Sequence, residues 1–372
     1  MPQENPWYVF EGVEIVDSPA LVIYRHRVKQ NIAEAIKTVG DVRRLRPHVK
    51  THKSIDVTRL MLEAGITGFK CATIAEAEML GEAGAPDVLL AYQPVGPKAV
   101  RFAELTKQYP ATRYACLVDN IDAATDLAAI AKKNALTLLL FLDVNVGMNR
   151  TGIQPDDSAI TLFEKIKGLE HVQIVGLHAY DGHINDTDLT IRKERCHAAL
   201  MPAMKMKDSL VSKGYHNLTV VAGGSPTFPI HATNKDVECS PGTFAYWDAG
   251  YAEAFPDQAF HPAAFVITRI VSFPADDLIC TDLGHKSIAA ESPLLKRFRF
   301  LNANGLEAVS QSEEHLVLKN TDSRSYKIGD VLYVLPVHIC PTVALYERAV
   351  IIDEGRIVGE WKTSARDKKL TL

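Results

Sequence analysis

From about residue 28 to 260, short apolar runs alternate with stretches of helical periodicity. The runs predict buried parallel strands at residues 45–49, 68–71, 88–92, 113–118, 137–144, 172–179, 218–222 and 236–240. Apolar positions spaced for one helical face predict helices such as 55–64 and 74–83 between them. Eight such units in succession argue for an α/β fold closed into a (β/α)8 barrel of the TIM type. An open doubly wound sheet is the alternative.

Beyond residue 260 the texture changes to alternating, β-branched and aromatic segments at 264–272, 277–282, 314–318, 331–335 and 349–358. These predict an antiparallel β domain, which the similar segment 19–24 joins from the other end of the chain. The expected division is a barrel over residues 28–260 and a discontinuous β domain of 1–27 plus 261–372. No internal repeat or low-complexity linker separates them.

The 372 residues, 47% hydrophobic and 23% charged, are enough for one large domain and a smaller one. A net charge of -4, with no basic run beyond the stretch from Arg43 to Lys53, gives no footprint for nucleic acid. No apolar run approaches the ~20 residues needed to span a bilayer, and residues 1–12 do not read as a signal peptide. The six cysteines are scattered, as expected of a reducing cytoplasm. A cytoplasmic protein acting on a small molecule is the expectation.

The segment Arg46-Pro-His48-Val-Lys50-Thr-His52-Lys53 follows the first predicted strand, at the end where barrels place their chemistry. Desolvation there favours a neutral, nucleophilic lysine. A solvated basic turn is the plain alternative. Two late loops add weight: Gly223-Gly224-Ser225-Pro226 after one strand and Ser240-Pro241-Gly242-Thr243 after the next. Their small residues let backbone N–H groups approach a phosphate, which makes Gly224, Ser225, Gly242 and Thr243 candidate binding residues.

These residues, with the segment Asn145-Val-Gly-Met-Asn-Arg150-Thr-Gly152, resemble the alanine-racemase-like enzymes over nearly the whole chain. The likeness is nearest to the D-threonine aldolase and D-serine dehydratase branch. It implies pyridoxal 5'-phosphate (PLP) attached to a lysine, which falls on Lys50, and a homodimer. It sets Arg150 near the phenolic oxygen of the cofactor ring and Tyr180 beside the ring, so that Lys50, His52 and Tyr180 are the candidate catalytic residues. Racemases of this fold carry an arginine before the Pro-Gly of their phosphate loop, whereas this chain has Ser240. The resemblance therefore implies an uncharged partner for the pyridine nitrogen.

Near the C-terminus, His338 and Cys340 flank Ile339 after an apolar strand, and in an extended segment they would share one face. Imidazole beside thiolate suits zinc or a similar ion; a chance pair is the alternative. The resemblance implies a catalytic divalent cation there, zinc or manganese, acting as a Lewis acid on a substrate β-oxygen. Asp282 and His285 could orient a ligand or belong to an ordinary loop. The expected activity is cleavage of β-hydroxy-D-amino acids to glycine and an aldehyde. Rival readings are a D-serine or 3-hydroxyaspartate dehydratase, an amino-acid racemase and a non-catalytic cofactor-binding protein.

Overall fold

After an opening strand β1 (Ala20–Tyr24), the apolar runs between residues 68 and 239 become seven parallel strands. They are β2 (Gly68–Cys71), β3 (Asp87–Leu90), β4 (Arg113–Val118), β5 (Leu138–Asp143), β6 (Val172–Ala179), β7 (Thr219–Ala222) and β8 (Val237–Cys239), hydrogen-bonded in chain order. Helices lie between them, and polar side chains start several. Thr73 Oγ1 accepts from the Glu76 N–H, Asn120 Oδ1 from Ala123 and an Asp188 carboxylate oxygen from Ile191, each satisfying an orphan donor of a first turn. Leu89, Ala115, Leu117, Phe141 and Val221 pack together as one apolar cluster across four strands. The structure, a computed structural model, describes residues 6–322 and 324–372.

The predicted strand 45–49 takes a reduced form. Leu45 makes a single parallel bridge to Cys239 of β8, and His48 makes one to Lys70 of β2. Four backbone bonds complete the seam: Arg46 N–H to Cys239 O at 2.8 Å, His48 N–H to Pro241 O at 2.9 Å, Lys70 N–H to Pro47 O at 2.8 Å and Val49 N–H to Lys70 O at 2.9 Å. Proline cannot donate at position 47, and the chain turns after Val49, so no longer ladder forms. The segment nevertheless joins the last strand to the first, and the sheet closes.

Arg46 reinforces that seam from inside. It is buried, with Nη1 2.5 Å from Asp87 Oδ1 at the start of β3 and Nε 2.6 Å from Glu238 Oε2 on β8. Burial works against a charged Asp87, but Arg46, and after it Arg113, hold its carboxyl below the ordinary range. The barrel unit consists of Ala33–Gly242 and Asp367–Leu372.

The second compact unit contains the described residues up to Ile32 together with Thr243–Arg366. Its nine-stranded sheet adds to β1 the strands β9 (Ala264–Ala275), β10 (Leu278–Thr281), β11 (Phe298–Phe300), β12 (Leu306–Gln311), β13 (Leu316–Asn320), β14 (Val331–Pro336), β15 (Arg348–Asp353) and β16 (Arg356–Lys362). The pairs are antiparallel except β1 with β15, which is parallel. Val22, Tyr24, Phe265, Ile267, Tyr333, Leu335 and Ile352 form its core. The single predicted strand 349–358 is instead a hairpin. Glu354 and Gly355 both take positive φ, at 48° and 73°, the conformation a two-residue hairpin turn requires.

Replacing Arg46 with methionine removes the cation on which two carboxylates converge. Thermal or urea unfolding of Arg46→Met should show a loss of about 3 kcal/mol or more; stability within half a kcal/mol of the parent would show that the seam does not need the ion pairs.

Candidate active site

The C-terminal ends of the strands, where parallel barrels carry their chemistry, surround a cavity of about 620 Å3. Lys50 enters it from the turn after the closing segment, Lys70 from β2, Asp119 from the end of β4, and His178 and Tyr180 from the end of β6. Arg150 reaches it from the loop that follows β5. Three cations surround the Tyr180 ring: Lys50 Nζ lies 5.9 Å from its centroid, Lys70 Nζ 5.4 Å and the Arg150 guanidinium carbon 5.0 Å. The sequence-predicted Lys50, Arg150 and Tyr180 are thus brought to one place. His52 is buried outside the lining of that cavity. The Ser54 N–H donates to its Nδ1, and burial, with Lys53 next, holds the imidazole down at about 3. Lys53 itself pairs with the buried Glu76.

Beside the ring sit the two late loops. The Gly242 N–H donates to Ser225 Oγ at 3.2 Å, tying the loop after β8 to the loop after β7. The Gly224 N–H donates to Thr227 Oγ1 at 3.3 Å. Space explains both glycines: a Cβ on Gly242 would lie 2.9 Å from His48 O, and one on Gly224 would lie 3.3 Å from the Tyr180 ring. Thr243 follows Gly242 directly, and its hydroxyl is 3.8 Å from Cys340 Sγ.

Asp143, Gln93 and Lys70 of this region were not singled out from the sequence. Asp143 ends β5, and its Oδ1 is 2.7 Å from His178 Nδ1, while Gln93 Nε2 donates to its other oxygen at 2.8 Å. Burial opposes the charge on Asp143, but the hydrogen bond from His178 prevails and lowers its pKa. Burial likewise lowers His178, so the imidazole is neutral, donates Nδ1–H to Asp143 and keeps a lone pair on Nε2. Lys70 is 2% exposed; burial first, and the charge of Lys50 next, push its amine down to about 7. A lone lysine inside an apolar strand was the signal for it.

Below the first glycine loop, Asp181, Cys196 and His231 bring three ligand-type atoms within 4.8 Å of one another, all buried. Asp181 accepts from Thr227 Oγ1 at 2.9 Å and lies 2.7 Å from His231 Nε2. Far apart in sequence, these three carried no spacing signal.

His338 and Cys340 belong to the second unit and do come together, though not as alternate residues of a strand. The chain leaves β14 and enters a short helix, Ile339–Ala344, with His338 as its N-cap and Cys340 in its first turn. Buried Asp248 sets this geometry by accepting the Ile339 N–H at 3.0 Å and, through its other oxygen, the Tyr251 N–H at 2.9 Å. Burial raises Asp248 to about 6. A hydrogen bond with Cys340 is the main reason His338 is raised to about 9, and Glu291 Oε1 adds to it at 2.5 Å from Nδ1. Imidazole, thiol and carboxylate are a donor set that fits a borderline divalent ion. Asp282 has structural work: it accepts from Ser18 Oγ, Thr268 Oγ1 and the Arg269 N–H. The His285 N–H donates to Ser312 O, an ordinary loop contact.

The barrel residues also fit PLP. An amine, a guanidinium, an aromatic face and two close-approach glycine loops are present together. Ser240 Oγ and His178 Nε2 are moreover buried without a hydrogen-bond partner among the described residues, a condition a polar guest relieves.

The family described as alanine racemase, N-terminal domain, matches residues 23–249, and the putative serine dehydratase domain matches residues 263–352. The chain is 26% identical to a 3-hydroxy-D-aspartate aldolase of Paracoccus denitrificans (strain Pd 1222), covering 95% of this chain and 93% of that protein. It is 28% identical to a D-threonine aldolase of an Arthrobacter species, covering 94% and 93%. The crystal structure of D-threonine aldolase from Filomicrobium marinum superimposes with a TM-score of 0.88 at 26% identity, covering 97% of this chain and 99% of that one. With its barrel, its β unit and both domain matches in agreement, the chain belongs to the alanine racemase N-terminal domain family of fold-type III PLP enzymes, in the branch of the D-threonine aldolases and D-serine dehydratases.

Proposed function

We propose that this PLP-dependent lyase cleaves β-hydroxy-D-amino acids between Cα and Cβ, releasing glycine and an aldehyde. The observation that carries the reading is the meeting of Lys50, Arg150 and Tyr180 in one cavity beside the two glycine loops. Aldolases named for such substrates match over more than nine-tenths of their length. PLP, when bound, supplies an electron sink for the pair left on Cα. Lys50 would hold it, Arg150 would face its phenolic oxygen, and the loops at Gly224–Ser225 and Gly242–Thr243 would take its phosphate.

The chain's own groups set the conditions. Tyr180 gives a flat apolar face, while Arg150 supplies a guanidinium. His178, oriented by Asp143, offers a buried lone pair that accepts a proton. His338 and Cys340, with Glu291 adjacent, would hold the divalent ion, whose Lewis acidity suits a substrate alcohol. Cys340 and the serine dehydratase domain match also favour a second reading, in which the same substrates lose the β-hydroxyl as water and the resulting imine is hydrolysed to a 2-oxo acid and ammonia.

Protein loaded with PLP and given D-threonine should form glycine and acetaldehyde in equal amounts; EDTA should abolish this, and zinc or manganese should restore it. Ammonia and a 2-oxo acid in their place would select the dehydratase, and turnover that survives complete metal removal would sink both. Borohydride reduction of the loaded protein should fix a pyridoxyl label on Lys50, and Lys50→Ala should take up none there. In Gly242→Ala, the added methyl meets the His48 carbonyl and the loop must move. Its Kd for PLP should rise roughly tenfold, read by titration of the apoprotein, with thermal unfolding close to the parent.

A further inference from the structure

Two interior cations of the barrel unit have counter-charges in place: buried Arg46 has Asp87 and Glu238, and part-buried Lys53 has Glu76. Lys70 differs. Its side chain lines the cavity from the interior of β2, and among the described residues its amine has neither an ion pair nor a hydrogen bond. The carboxylates closest in influence are committed elsewhere: Asp143 to His178 and Gln93, Asp181 to His231 and Thr227. Lys50 and Arg150 stand around the same Tyr180 ring and add only positive charge. A buried amine left in this way is disfavoured as a cation until an anion arrives.

The structure assigns Lys70 a binding role: its ammonium receives an anionic oxygen, phenolate or carboxylate, from the molecule that enters the cavity. This rests on the cofactor reading above and adds to Arg150 a second, deeper cation. The depressed basicity of Lys70 agrees with it. At neutral pH the amine is poised between its forms, and an incoming negative charge draws it to the protonated one. At a site as buried as that of Lys70, the attraction is stronger than on a surface. The oxygen could come from the cofactor ring or from a second carboxylate on the substrate's side chain, and the two sources separate experimentally.

The test compares wild type, Lys70→Met and Lys70→Arg by three measurements: Kd for PLP on the apoprotein, the absorbance spectrum of the loaded protein, and binding of succinate against propionate. If the cofactor supplies the oxygen, Lys70→Met should weaken PLP by roughly ten- to a hundredfold and shift the spectrum, with Lys70→Arg restoring part of both. If the substrate supplies it, PLP and the spectrum should stay as in wild type, and Lys70→Met should lose affinity for succinate but not for propionate. PLP and succinate binding both unchanged in Lys70→Met would overturn the assignment and leave Lys70 a core residue. Methionine fills the space without a charge, so the variant's thermal unfolding should match or exceed that of wild type; this confirms that the fold is intact. Should wild type fix no pyridoxyl label on Lys50, the lyase reading fails by itself, and succinate binding to wild type against Lys70→Met still decides the role of Lys70.

Discussion

Five residues, 45–49, close the barrel, and the position of Lys50 follows from how they do it. The segment is too short and too proline-interrupted to form a ladder, so two single bridges and four backbone bonds hold it between β8 and β2. Arg46 adds ion pairs to both sides of the gap. The chain is then fixed at Val49, and the turn that follows delivers Lys50 to the cavity. His48, one residue before, is packed against the position a Cβ on Gly242 would take. Closure, lysine placement and the glycine loop are therefore one mechanical unit, which explains why a small residue is needed at 242.

That unit carries an electrostatic burden. Lys50, Lys70 and Arg150 share one cavity, and the nearby Asp143 is already engaged by His178 and Gln93. Like charges brought together repel, and the lowered basicity of His48, His178 and Lys70 records it, with burial as the larger cause. A doubly or triply negative guest reverses the sign of the problem. PLP is such a guest, which ties the shape of the pocket and its charge to the same chemistry.

Much of this was legible in the sequence, and the failures have physical reasons. Strands such as β4 and β5 are buried along nearly their whole length, so continuous apolar runs marked them. Segment 349–358 looked like one strand because its turn, Glu354-Gly355, interrupts the pattern for only two residues. Lys50, Arg150 and Tyr180 could be located because each lies in a local motif at a strand end. Lys70 and Asp143 were missed: a lone charge on an apolar run is their only signal, with no motif around it. His338 and Cys340 were paired for a geometry the chain does not use. The helix N-cap brings their side chains together where alternate strand positions were expected, with Asp248 holding the turn from a distant part of the sequence.

Two groups in this chain offer metal-type ligands, and their surroundings suit different purposes. In the barrel unit, Asp181, Cys196 and His231 are buried and already satisfied by one another: His231 Nε2 is 2.7 Å from Asp181, and Cys196 Sγ is 3.4 Å from His231 Nε2. Burial raises the Cys196 thiol well above its ordinary range. Through Thr227 the group reaches the Gly224 N–H, which gives it a function as a brace for the first glycine loop. His338 is half exposed and Cys340 partly so, with Glu291 on the open side. An ion held by two or three side chains at such a place keeps coordination positions for water and substrate, which is what a catalytic cation requires and a buried brace denies.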